Sequence, residues 1–176
     1  MRLGTVARRF LVPGFVVTIQ AWLRFRCQVS PRAEVEITPR LRIGRKAIVG
    51  SFTKIKATDG PLTIGSHVEI ANGCVITSHT AGVEIGDDCL IGPNVSIIGN
   101  NYRYDRLDVP IRLQEKVSAK GIRVGSDVWI GAGCVLLDGA DVGSGSILSP
   151  NSVVSGPIPE RSIAAGNPAK VIFTRR

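Results

Sequence analysis

The sequence predicts an all-β solenoid, a triangular coil of short strands with a helix before it and a long loop inside it. Three observations predict it. Aliphatic residues recur six positions apart in trios: Ile43, Val49, Ile55; Ile64, Ile70, Ile76; Ile85, Ile91, Ile97; Val124, Ile130, Leu136; Val142, Leu148, Val154. Four places after these marks stands a small or β-branched residue, such as Ala47, Thr53, Val68, Cys74, Cys89, Cys134 or Ser146. Every break in the count follows the third member of a trio. A helical period of 3.6 cannot hold a six-residue beat on one face, whereas a strand, a tight corner and another strand can. Three such sides close a prism, with the marks inward and the coils stacked about 4.8 Å apart. Glycine usually follows the mark, as in "IGSHVE" and "IGAGCV", and reads as the residue that eases the corner.

The N-terminal element, residues 1–30, stands apart. Its apolar run from Phe10 to Leu23 is too short to span a bilayer and is interrupted by Pro13 and Gln20. No small-residue cleavage site follows it, which argues against a secretory signal. Phe15, Val16, Ile19, Trp22 and Leu23 form a helical stripe. Two readings stay open. The stripe caps the open end of the prism, or it lies in an anionic membrane interface with Trp22 and the flanking arginines at headgroup level.

The coil is expected over residues 31–160. The nine-residue steps Ile55 to Ile64 and Ile76 to Ile85, and the long step Ile97 to Val124, place "KATDGPLT", "TSHTAGVE" and an excursion over 98–123 along one edge. The excursion reads as a functional loop without secondary structure of its own. Its Tyr102, Tyr104, Val109, Pro110 and Ile111 are too apolar for a disordered linker. Residues 161–176 read as a C-terminal tail.

Composition fits one domain of 176 residues. Aromatics make up only 5%, as a narrow prism filled by Ile and Val requires. The formal charge of +8 suits an anionic membrane surface or a phosphorylated cofactor. Nucleic acid is disfavoured, because no basic-aromatic platform accompanies the charge. Cys74, Cys89 and Cys134 occupy small-residue positions and read as buried hydrophobes, so a reduced, cytoplasmic chain is expected.

The segment Val124–Ile172, with "DVWIGA" and "AAGNPAKVI", together with "IGPNVSII" and "YRYDRLDVPIR", resembles the hexapeptide-repeat acyltransferases, in their sugar and xenobiotic O-acetyltransferase branch. The resemblance spans about residues 31–172. It implies a left-handed parallel β-helix and a homotrimer with sites between neighbouring prisms. It implies acetyl-CoA or a related thioester as donor, no metal, and a sugar hydroxyl as acceptor in polysaccharide or glycolipid biosynthesis. It also implies that Trp129, Gly131, Ala132, Ser149 and Lys170 line the coenzyme. If the helix meets the inner face of the membrane, a lipid-linked acceptor follows.

Two departures stand out. The family carries its general base as a histidine just before the Arg-aromatic-Asp run, and Asn100, Asn101 and Tyr102 stand there instead. Gly156 replaces a lysine that many relatives use for coenzyme phosphate. Of the two histidines, His67 reads as an outward surface residue in the middle of a side. His79 lies in the inserted corner, 21 residues before Asn100, about one widened coil. It is therefore expected beside Asn100 under the excursion, as a relocated base that Asp105 or Asp108 could orient. Asn100, Asn101, Tyr102 and Asp105 are the candidate acceptor contacts. An ordinary phenol, with a pKa near 10, is a poor base at neutral pH, which argues against Tyr102 in that role. Two other readings compete: a non-catalytic sugar-binding or assembly relative, and a zinc enzyme on the same scaffold. The zinc enzyme would want three histidines, and the chain has two.

Overall fold

The computed structural model describes residues 13–57, 59–117 and 120–176. Arg2, Arg8 and Arg9, and the start of the apolar run from Phe10 to Val12, lie outside the described residues. Parallel strands stack into three sheets, one per side of a prism. The first side holds Leu41–Ile43, Leu62–Ile64, Val83–Ile85, Ile122–Val124, Asp141–Val142 and Pro157–Ile158. The second runs through Gln28–Val29, Ile48–Val49, Glu69–Ile70, Leu90–Ile91, Trp129–Ile130, Ile147–Leu148 and Ser162–Gly166, and the antiparallel strand Ala169–Thr174 closes it. The third holds Glu34–Val35, Lys54–Lys56, Val75–Thr77, Ser96–Ile98, Val135–Leu137 and Val153–Val154.

All fifteen marked residues of the trios are buried, and they form one continuous core. Removing that much Ile, Val and Leu from water, at about 25 cal/mol per Å² of apolar surface, is the main force holding the coil shut. The small residues between them are equally buried: Ala47, Thr53, Cys74, Cys89, Cys134, Ser146 and Ser152 are all 0% exposed. Thr53 and Ser146 keep their hydroxyls satisfied by donating to the carbonyls of Ala71 and Pro159. Burial pushes all four thiols up, Cys27 to about 11.

The corners differ from the expectation in one respect. The residue in the left-handed region is the third after the mark, not the glycine directly after it. It is Lys46, Phe52, His67, Asp88, Asn94, Asp127 or Asn151 in successive corners, or glycine as at Gly73. The glycine next to the mark is needed for close approach instead. A Cβ on Gly65 would sit 2.5 Å from the Gly86 carbonyl one coil away. His67 accordingly occupies a corner, not the middle of a side, with its Nδ1 3.3 Å from Asp88.

The coil is also longer than the regular beat indicates. Val29 and Val35 are buried and begin it at Gln28, while Ile158 and Ala164 extend it past residue 160. The irregular steps Val35 to Ile43 and Val154 to Ile158, eight and four residues, hide these coils from a search for sixes. Residues 161–176 are not a loose tail: Ser162–Gly166 and Ala169–Thr174 form a hairpin on the second side.

Helix α1, Gly14–Phe25, ends where Arg26 adopts the left-handed conformation and donates its N–H to the Trp22 carbonyl. It caps the first coil with a face other than the expected stripe. Ala21 is fully buried, Val17 and Phe25 pack beside it, and Thr18 Oγ1 donates to the Val29 carbonyl at 2.9 Å. Gly14 permits that approach, since a Cβ there would overlap the Pro31 carbonyl. No helix among the described residues is long and apolar enough to cross a membrane.

Candidate active site

The insertions do form a ridge, at the corner between third and first sides. Ser78 donates its N–H to the Lys56 carbonyl and its hydroxyl to the Gly60 carbonyl, and Gly99 donates to the Thr77 carbonyl. Ile98 pairs with Thr77, so two residues further on Asn100 comes level with His79. The two segments are in contact: a Cβ on Gly99 would meet the His79 backbone nitrogen at 3.5 Å. The expected stacking of His79 under the start of the excursion is therefore met. His79 is half-buried, and its Nδ1 lies 3.2 Å from the Thr80 hydroxyl. With Nδ1 engaged there, Nε2 is the nitrogen left for an acceptor proton.

The excursion has secondary structure of its own, against expectation. Asn101–Tyr102 pairs antiparallel with Lys116–Val117, Arg103 donates to the Glu115 carbonyl, and a 3-10 turn covers Ile111–Leu113. The Gln114 side chain ties the loop together by donating to the carbonyls of Arg106 and Val109. Neither Asp105 nor Asp108 orients His79. Arg103 grips Asp105 in a two-pronged fork at 3.0 and 2.7 Å, and Arg106 grips Asp108 likewise at 3.2 and 2.5 Å. Each fork holds its carboxyl below the ordinary carboxylate range, because the hydrogen-bonded arginine favours the charged form. Tyr102 is exposed, with Lys116 Nζ 5.7 Å from its ring centre.

The expected coenzyme residues gather elsewhere, along the second side and the corner beyond it. Trp129 lies on a strand, not at a corner, between Leu90 and Ile147. Its exposed indole lines a groove of about 390 Å³ with Ile48, Asn72, Leu90 and Gly92. Register then aligns Gly131 with Ser149, Ala165 and Lys170 in one row across successive coils. Ala132 turns the corner after that row. Five dispersed positions thus form one continuous strip. Within one chain this strip and the His79 ridge lie on opposite edges of the third side. Gly156 belongs to the ridge edge, where its carbonyl accepts from Asp141 and nothing lies within 4 Å of an added Cβ.

Two features escaped the reading of the sequence. Thr80 is the partner of His79, and its adjacency in "SHTAG" was the available signal. A cleft of about 660 Å³ flanks the ridge on the first side, lined by Glu84, Lys120, Gly121 and Arg123 among others. No local motif marks it, because its walls come from different coils. Among the described residues, no three His, Cys, Asp or Glu side chains converge on a metal position.

Residues 121–156 match the bacterial transferase hexapeptide family (six repeats). A Mycobacterium tuberculosis relative is 32% identical over 185 aligned positions, covering 97% of this chain and 61% of its own. One from Saccharomyces cerevisiae is 40% identical over 134, covering 72% and 67%. Both carry provisional names as acetyltransferases. The chain thus spans about three fifths to two thirds of these relatives' length. The galactoside O-acetyltransferase of Escherichia coli is 35% identical over 92 positions, covering 51% of this chain and 42% of its own. In architecture the chain is similar to the N-acyltransferase AntD of Bacillus cereus, solved with dTDP and 3-hydroxybutyryl-CoA. The TM-score is 0.74 at 18% identity, over 86% of this chain and 81% of that one.

Proposed function

This chain belongs to the bacterial transferase hexapeptide family, with the left-handed parallel β-helix of its acyltransferases, and on that premise we propose that it is an acyl-CoA-dependent O-acyltransferase acting on a carbohydrate. The observation that carries this reading is the register of His79 with Asn100. It sets an imidazole beside the position where the family's base is expected. His79 Nε2 takes the acceptor hydroxyl proton as the oxygen attacks the thioester carbonyl. The carbon–oxygen bond forms, the carbon–sulfur bond breaks, and the proton passes to the departing coenzyme sulfur. Thr80 holds the ring through Nδ1. Asn100, Asn101, Tyr102 and Asp105 supply the polar contacts to the acceptor. Trp129, Gly131, Ala132, Ser149 and Lys170 receive the coenzyme, with acetyl-CoA as donor.

A homotrimer completes the site. A groove between two prisms would bring the Trp129 strip of one against the His79 ridge of its neighbour. Two features support it. Outward residues of the second side run Ile48, Glu69, Leu90, Trp129, Ile147, Ile163 and Phe173, an apolar column with one charge. The first side presents Arg42, Thr63, Glu84, Arg123 and Asp141 instead, which suits water. The excursion also leaves Tyr104, Leu107, Ile111 and Leu113 exposed, and a neighbour would cover them.

The test adds acetyl-CoA to the purified protein. At about 100 times its Kd it should raise Tm by roughly 5–10 °C, and thiol should be released with sugar acceptors. Light scattering should return three times the chain mass. No thermal shift and a monomeric mass would overturn the reading. A shift without thiol release from any sugar would favour a non-catalytic relative, the alternative that the missing loop histidine raises.

A further inference from the structure

We propose that the N-terminal end of the prism docks on an anionic lipid bilayer, with α1 lying in the headgroup layer on its Phe15–Ile19–Trp22–Leu23 face. A helix that only caps a coil needs one apolar face, and α1 has two. Gly14, Val17, Ala21 and Phe25 meet the first coil. Beside them, Phe15, Ile19, Trp22 and Leu23 are 59, 52, 62 and 67% exposed, and Ile19 and Trp22 line an open groove of about 630 Å³ over Val29 and Ile48. Leaving these four side chains in water forfeits most of the transfer free energy their burial would supply. An interfacial helix recovers it, and tryptophan is suited to the boundary where one end is apolar and the other wet.

The charge around this face selects the occupant. Residues 13–57 hold nine arginines and lysines against two glutamates, and no Asp or Glu precedes Glu34. Nearly the whole formal charge of the chain is thus concentrated at one end. The basic groups gather at the same end of the coil as α1. Arg24 lies over the Phe25 ring at 5.1 Å. The Arg26 carbonyl accepts from Lys46, placing those two cations on one corner. Arg32 lies over the exposed Phe52 ring at 6.0 Å. A second copy docked through the same face would bring two strongly positive ends together, whereas an anionic leaflet attracts both the cations and the stripe. Nucleic acid would use the cations and leave the stripe in water.

The docked orientation has a consequence for chemistry, and this clause alone rests on the acyltransferase reading. Glu36 donates to the Ile55 carbonyl and Ser78 to the Lys56 carbonyl, so the ridge climbs one coil at a time from the base. His79 stands two coils above the first, roughly 10 Å at the strand spacing. An acceptor anchored in the same bilayer would present its first sugars at that height.

The experiment is co-sedimentation of the full chain with vesicles of phosphatidylcholine alone, or with about 30% phosphatidylglycerol, at about 50 and 500 mM salt. The chain should sediment with the anionic vesicles at low salt and be released at high salt. In a Trp129→Phe background Trp22 is the sole tryptophan, and its emission should shift to the blue on binding. Ile19→Ser with Trp22→Ser should weaken binding at least about tenfold, and Arg24→Gln or Arg26→Gln about fivefold each, with Tm and oligomeric mass unchanged. A full chain that stays in the supernatant with anionic vesicles at low salt overturns the proposal. So does binding indifferent to these substitutions, and so does a change of mass in the stripe variant, which would assign the face to a second copy. Thiol release is not read in this test, so failure here leaves the acyltransferase reading standing.

Discussion

Replacing His79 with alanine removes the one imidazole on the ridge and leaves the coil beneath it intact. The backbone groups that build this corner, such as the Gly82 N–H bonded to the His79 carbonyl at 2.7 Å, survive the change. General-base catalysis contributes roughly 10²–10⁴ in rate. The surroundings of His79 place it in the lower half of that range. The ring is half-buried, its partner is the neutral Thr80 hydroxyl, and Asp105 and Asp108 are engaged by their own arginines. The expected loss in kcat is therefore about 10²–10³, or roughly 3–4 kcal/mol of transition-state stabilisation. The assay follows thiol release from acetyl-CoA against the acceptor, and the KM for acetyl-CoA should hardly move. Thr80→Val should cost about tenfold or less, since it only frees the ring to rotate. His67→Ala should leave the rate alone, because His67 sits on a different corner beside Asp88. Asn100→His in the His79→Ala background should recover part of the rate. An unchanged kcat in His79→Ala would refute the relocated base.

Two glycines should respond in opposite ways. Gly156→Lys adds a side chain where nothing lies within 4 Å of the new Cβ, so Tm should hold and affinity for coenzyme A should rise by calorimetry. Gly65→Ala forces a Cβ against the Gly86 backbone and the Asp87 carboxylate, and denaturant titration should show a loss of about 1–3 kcal/mol. The four buried thiols should resist alkylation at pH 8 in the folded chain and all react once it is unfolded. Burial raises their folded pKa values, so this contribution to stability is fully present below the unfolded value near 9.0. It is lost as pH climbs towards the folded value, about 11 for Cys27, because the unfolded thiols ionise first.

The coil was legible because, outside the excursion, each hexapeptide meets its counterpart one coil away about 18 to 21 residues on. Ile43, Ile64 and Ile85 lie 21 apart, and in space they are neighbours in one sheet. Local spacing therefore specifies the core contacts, and the ridge follows from where the spacing breaks. The coil ends were not legible: Val29, Val35, Ile158 and Ala164 are as inward as the rest, but their steps of eight and four break the beat. In α1, Phe15, Trp22 and Leu23 outweigh Gly14 and Ala21 in any hydrophobic pattern. Close approach to Pro31 and Val29 selects the small residues all the same.

The sequence by itself determined the prism, the inward residues of its regular coils, the insertion ridge and the level of His79 with Asn100, since all of these are consequences of one repeat length. Only the tertiary structure decided the rest. It brought Gly131, Ser149 and Lys170 into one row, because a hairpin turns Lys170 back onto the second side. It paired Asp105 and Asp108 with Arg103 and Arg106 and left Thr80 to His79. It also turned the large side chains of α1 outward. Each of these choices depends on distances across the coil or on the shape of a surface, and a one-dimensional period carries neither.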